Sequence, residues 1–228
     1  MRGYFIIFIC YTKNMTHIIC SHGFGVTKTG RGLFTDIAAA LPEHTFELFD
    51  YNRIHSNGDI EVATLDEQAT TLQAVIDAAP KQSVLLCHSQ GSMIAGMVDL
   101  RKIAKVILLA PPLFESVQSV MSMLAARVES DAPHSQEIIR IPRKDSTSTL
   151  VSTAYIEEMM NTDPKNLYRI IANTTPTTIV NALDDELVGE TSFDDMPVQQ
   201  IDISADHNFT GESRNELIAH VSTLLSQI

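Results

Sequence analysis

The sequence predicts an α/β fold, a mostly parallel sheet flanked by helices, with one insertion between two late strands. Apolar strand-like runs alternate with helix-like periodic segments over most of the chain, the order that produces parallel strands joined by helical crossovers. Ser83-Val84-Leu85-Leu86 leads into Cys87-His88-Ser89-Gln90-Gly91 and then the small-residue stretch 92–96. That reads as a strand, a sharp turn with a central serine, and a helix. The alternation breaks over about 113–175 and then resumes.

At the start, Arg2 precedes the apolar stretch 4–11. It is too short for a bilayer, which takes about 20 residues, and no small-x-small cleavage site follows. Residues 1–14 read as an extra strand or a dispensable N-terminal extension, with Met15 an alternative start. Residues 16–21 form a strand ending at His22-Gly23-Phe24-Gly25, and 33–41 a helix stopped by Pro42. Residues 45–50 form the second strand. Thr64 and Glu67 make a capping box for a helix running to about residue 79, before Pro80. Residues 82–87 feed the serine turn, and 105–110 form a buried strand stopped by Pro111-Pro112.

Inside the insertion, Val117, Val120, Met121, Leu124 and Val128 mark a helix over 116–128. Segments 136–141 and 149–152 flank a turn as a hairpin. Two short helices follow at 155–160 and 167–172, the second announced by Asp163-Pro164. The block is too apolar for a disordered excursion and reads as a cap over the site. Residues 177–182 and 198–203 are the last strands. Ser213 and Glu216 form a second capping box, opening an amphipathic helix through Leu217, Val221 and Leu224.

With 228 residues, 44% hydrophobic and 19% charged, the whole chain 1–228 suits one domain. A net charge of −12 argues against nucleic acid and anionic membranes as partners. Cys10, Cys20 and Cys87 are an odd set, two of them in apolar runs. They read as reduced thiols of a cytoplasmic protein. No C-x-x-C or His-x-x-x-His pattern suggests zinc, and no cofactor is expected. Nothing in the sequence fixes an oligomeric state.

A serine hydroxyl becomes a nucleophile when a base takes its proton and a carboxylate orients that base. His207, in the loop between the last strand and last helix, is placed to reach back over the sheet edge. The other histidines precede the serine, adjoin it, or fall in the cap or final helix. For the acid, Asp184, Asp185 and Glu186 follow a strand directly. Two N–H groups could hold a developing oxyanion: Gln90, just after the serine, and Phe24, in the glycine turn.

His22-Gly23-Phe24, His88-Ser89-Gln90-Gly91, Leu108-Leu109-Ala110-Pro111, Asp184-Asp185-Glu186-Leu187-Val188 and Asp206-His207-Asn208-Phe209 occur in that order. In them the chain, over about 15–228, resembles the α/β-hydrolase superfamily. Within it, the chain is similar to small bacterial carboxylesterases of the cinnamoyl/feruloyl type. The resemblance implies an eight-stranded, mostly parallel sheet, shortened here at its N-terminal edge. It gives Ser89, Asp185 and His207 the catalytic roles and Phe24 and Gln90 the oxyanion hole. Ala182-x-x-Asp185-x-x-Val188 matches the family's acid turn with alanine for glycine, and Asp184 is the alternative. Cys87 and Ser92 stand where those esterases have glycine, and 50–56 lacks their glycine-rich form; these departures bear on the substrate.

The expected activity is cleavage of a small-molecule carboxylic ester through an acyl-enzyme. The same machinery serves thioesters, amides and acyl transfer, and a different class is a non-catalytic small-ligand binding protein. Substrate binding is expected from the cap, 113–175, where Met121, Met123, Met159 and Met160 line a pocket or are plain core.

Overall fold

The computed structural model describes residues 15–113, 115, 118, 138–189 and 192–228. Among these, six strands form one sheet, every neighbouring pair parallel. From edge to edge they are β10 (Gln199–Ile203), β9 (Thr177–Ala182), β6 (Ile103–Leu109), β5 (Ser83–His88), β1 (His17–Ser21) and β2 (Thr45–Leu48). The six expected strands match these within about two residues.

Side chains alternate across a strand, and here both faces are buried. Ile18 and Cys20 of β1, Val84 and Leu86 of β5, and Ile107 and Leu109 of β6 pack on one face. There they meet α1 (Leu33–Ala40) through Leu33, Phe34 and Ile37, and α6 (Glu212–Leu225) through Leu217, Val221 and Leu224. Ile19, Leu85, Cys87 and Leu108 point the other way. They pack with α2 (Leu65–Ala78), α3 (Gln90–Ala95), α4 (Thr153–Asn161) and α5 (Pro164–Thr174). Two covered faces explain why the strands read as continuous apolar runs.

β1 lies between β2 and β5, so the chain leaves it toward one edge and then crosses to build the other. Such a switch point opens a crevice beyond the C-terminal ends of the strands. The turn His22-Gly23-Phe24 after β1 and Ser89 after β5 both face that crevice.

A second sheet, in the order β3 (Arg53–Ile54), β4 (Ile60–Glu61), β8 (Ser148–Ser152) and β7 (Ile138–Pro142), was not expected beyond its β7–β8 hairpin. The hairpin pairs through β8 with β4. Asp59 fastens the join, its Oδ2 2.7 Å from Arg140 Nη1 and its Oδ1 accepting the Ser148 N–H at 2.7 Å. β3 and β4 are two residues each, too short to show a period.

Thr64 and Glu67 close both bonds of the expected capping box, and Asp163 accepts the Asn166 N–H with Pro164 opening α5. The box expected at Ser213 and Glu216 does not form. α6 starts earlier, after Gly211, and the Ser213 hydroxyl donates instead to Thr210 O at 2.9 Å. Arg214 ties down the approach, donating to Asn208 O and Phe209 O and pairing with Asp36. The strand expected in 1–14 lies outside the described residues, as does all but residue 118 of the helix expected at 116–128. Among the described residues no helix is long and apolar enough to cross a membrane.

Candidate active site

Ser89 follows the last residue of β5 and precedes the first of α3, with φ 53° and ψ −127°. A non-glycine residue there costs roughly 1–3 kcal/mol. Its surroundings hold it: the Ser89 N–H donates to Leu109 O of β6 at 2.9 Å, and its carbonyl accepts the Ser92 N–H at 2.9 Å. The strained turn aims the hydroxyl into the crevice.

Glycine is required two residues on. A Cβ on Gly91 would lie 2.4 Å from Ser21 O and 2.8 Å from His22 O, both backbone atoms of the facing strand end. Cys87, by contrast, is fully buried beside Ser21 in the sheet, where a small side chain fits. We expect Gly91→Ala to destabilise the fold by about 3 kcal/mol or more, lowering Tm by roughly 6–12 °C in a thermal melt.

His207 sits in the loop between β10 and α6. Its Nδ1 is 2.6 Å from Asp185 Oδ2 and its Nε2 2.9 Å from Ser89 Oγ. A carboxylate only accepts, so Nδ1 carries the proton and Nε2 presents its lone pair to the serine O–H. Asp185, in the turn after β9, accepts the Leu187 and Val188 N–H groups on Oδ1 at 2.8 and 2.9 Å. Burial alone would raise its carboxyl. The His207 hydrogen bond and charge, with those two N–H groups, outweigh burial and hold it below the usual carboxylate range. Asp184 turns away, accepting from Ser204 Oγ at 2.8 Å.

Phe24 and Gln90 line the same cavity as Ser89 and His207. Gln90 opens α3, so its N–H has no partner within the helix. Its side chain is pinned: Oε1 accepts from Tyr155 Oη at 2.8 Å and Nε2 donates to Gln68 Oε1 at 3.0 Å. The glycine turn is fixed by its neighbours. His22 Nε2 accepts the Tyr51 N–H at 3.2 Å. Ser21 Oγ donates to Gly91 O at 3.1 Å, so the Tyr51 hydroxyl, 2.7 Å away, donates to Ser21.

The cavity measures about 180 Å³ and its walls are largely apolar. Within 113–175, Tyr155 and Met159 form part of its lining; Met160 is exposed, and Met121 and Met123 lie outside the described residues. Together, the five residues singled out in the sequence as catalytic or oxyanion-binding meet at one site. They set a hydroxyl, an imidazole and a carboxylate in hydrogen-bonded series, with Phe24 and Gln90 in the same cavity.

Solved structures share this arrangement of strands and helices. The α/β hydrolase GrgF from Penicillium sp. sh18 superposes with a TM-score of 0.64 at 16% identity, covering 95% of this chain and 91% of that one. The chain is α/β-hydrolase in fold. Est1E from Butyrivibrio proteoclasticus, solved with ferulic acid bound, gives 0.67 at 15% identity over 95% and 90% of the two chains. A structure from work on the metagenome-derived lipolytic enzymes LipS and LipT gives 0.68 at 12%, covering 95% of each. No protein-family model matches the sequence, and no curated protein matches it. Against the eight strands expected of an α/β-hydrolase sheet, six are present among the described residues.

His88 adjoins Ser89 in sequence and also belongs to this site. Its place beside the serine argues against a role as the base, and its side chain does not reach the serine hydroxyl. Its Nε2–H donates to His207 O at 2.8 Å, with the two imidazole centroids 4.9 Å apart. Adjacency to the serine was the available signal, but a contact across 119 positions has no local signature. Burial, then the neighbouring His207, pull His88 down from 6.5 to about 3, so it is neutral and a donor. The folded state resists a proton that the unfolded chain accepts. The contribution of His88 to stability is therefore fully present above about 6.5 and is lost as pH falls toward 3. We expect His88→Gln, which keeps a donor and cannot titrate, to reduce the loss of unfolding free energy between pH 7 and 4 by a few kcal/mol. Urea unfolding across that range measures it.

Proposed function

We propose that this protein is a serine hydrolase that cleaves carboxylic esters through an acyl-enzyme. The observation that carries the reading is the series Ser89 Oγ, His207 Nε2, His207 Nδ1 and Asp185 Oδ2, at 2.9 and 2.6 Å, on a serine with positive φ. Ser89 Oγ attacks the ester carbonyl as His207 Nε2 takes its proton. The Phe24 and Gln90 N–H groups receive the oxyanion, and Asp185 stabilises the imidazolium. Collapse expels the alcohol, which leaves with the proton from His207. Water then attacks the acyl group, giving its proton to His207, and the acid departs as Ser89 regains a proton.

The ester-cleaving relatives in fold favour this reading over thioesters and amides. Est1E is described with ferulic acid and polyneuridine aldehyde esterase is an esterase by name. We read 113–175 as a cap that sets substrate choice, which the Tyr155 and Met159 walls of the cavity support. The small-molecule ester would be hydrolysed in the cytoplasm, a reducing setting that suits the buried free thiols Cys20 and Cys87.

A panel of 4-nitrophenyl esters, thioesters and anilides of graded acyl length tests the assignment. We expect ester turnover to exceed anilide turnover, and substitution of Tyr155 or Met159 to reorder kcat/KM among the esters. Turnover confined to thioesters or anilides would overturn the ester reading. An unchanged ranking would remove the cap from substrate choice.

A further inference from the structure

We propose that the substrate carries a negative charge and that Arg31 binds it; this rests on the ester-hydrolase reading. Arg31 lies in the short 3-10 turn Gly30–Gly32, leading into α1, and is among the residues that line the cavity holding Ser89. It is the formally charged cation there, and no Asp or Glu is among the lining residues. The walls on its side are Val26, Leu33 and Phe34. A ligand that fills the cavity meets apolar surface and has Arg31 within reach of its rim.

Arg31 also has no ion pair or side-chain hydrogen bond among the described residues. A carboxylate that could neutralise it is close by. Asp36 lines the adjoining groove with Arg31, but Arg214 Nη1 holds it at 2.6 Å. Arg31 is exposed at the cavity's rim with Asp36 engaged elsewhere, in a protein of net charge −12. Its charge acts on His88, next to Ser89. The backbone of Arg31 is left-handed, φ 56° and ψ 11°, a conformation that glycine would adopt without cost.

A guanidinium presents paired N–H donors matched to a carboxylate and keeps its charge at any working pH. The class it fits is an ester with an apolar body and a carboxylate at the end remote from the scissile bond, such as a dicarboxylic acid hemiester. A carboxylate in the alcohol part would meet the same group, and the experiment separates the two.

The test compares kcat/KM for mono-4-nitrophenyl adipate with 4-nitrophenyl hexanoate, and for 4-carboxyphenyl hexanoate with its methyl ester. Wild type, Arg31→Gln, Arg31→Lys and Arg31→Gly are measured; the glycine variant relieves the backbone and guards against misfolding. In at least one pair the anionic-to-neutral ratio should fall about tenfold or more in Arg31→Gln and Arg31→Gly, chiefly through KM, with Arg31→Lys between. Added salt should lower the wild-type ratio. Ratios unmoved in both pairs, while wild type hydrolyses the neutral esters, would overturn this proposal and leave the ester reading standing. Wild type inert toward all four esters would overturn both.

Discussion

Replacing Ser89 by alanine is expected to lower kcat on a 4-nitrophenyl ester by about 10⁴–10⁶-fold, with no fall in Tm. In the proposed mechanism the hydroxyl oxygen bonds to the acyl carbon, so no other group in the cavity substitutes for it. Alanine tolerates the φ of 53° no worse than serine does. The backbone bonds to Leu109 O and from Ser92 N–H that hold the turn are unchanged by the substitution. Residual turnover would come from the oxyanion donors and the cavity acting on water. Initial rates with a melt on the same sample separate loss of chemistry from loss of fold.

Asp185→Asn is expected to cost about 10⁴-fold in kcat, whereas Asp184→Asn should stay within about twofold of wild type. In the variant, Leu187 N–H and Val188 N–H still require an acceptor where Asp185 Oδ1 now sits. The amide oxygen must occupy that place, which turns its NH₂ toward His207 Nδ1. Two donors cannot share that 2.6 Å contact, so His207 moves its proton to Nε2. The lone pair facing Ser89 Oγ is then lost and the base with it. Asp184 answers to Ser204 Oγ and has no such hold on the imidazole. Steady-state rates for the two variants, at a pH where wild type is maximal, decide between the neighbouring carboxylates. A large loss in Asp184→Asn with little in Asp185→Asn would mean that the turn after β9 is shifted by one residue.

The strand order and the site differ in how they could be read from the chain. β1, β5, β6 and β9 are buried on both faces, so their runs of Ile, Val and Leu stood out. The serine turn was legible because a strand, a small-residue helix and Gly91 have to meet in one short stretch. His207 was legible from its place after β10; the end of β9 offered Asp184, Asp185 and Glu186, and the resemblance in the acid turn singled out Asp185. What was hidden depends on contacts between distant segments. The pairing of β4 with β8 joins residues 89 apart through Asp59 and Ser148, and neither two-residue strand carries a period. The start of α6 follows Arg214 and its loop carbonyls, which override the Ser213 and Glu216 pattern. Tyr155, bonded to Gln90 65 positions away, looked like any apolar residue of a short helix. Arg31, between Gly30 and Gly32, carries no sequence signal that ties it to the serine turn.

The most direct measurement is the site of acylation. Wild-type protein is mixed with a 4-nitrophenyl ester, quenched in acid within the first turnovers, digested and examined by mass spectrometry; a fluorophosphonate label is mapped in parallel. The mass of the acyl group should appear on the peptide containing Ser89, fragment ions should assign it to that residue, and His207→Gln should slow its formation. An adduct on Cys87, or labelling undiminished in Ser89→Ala, would contradict Ser89 as the nucleophile.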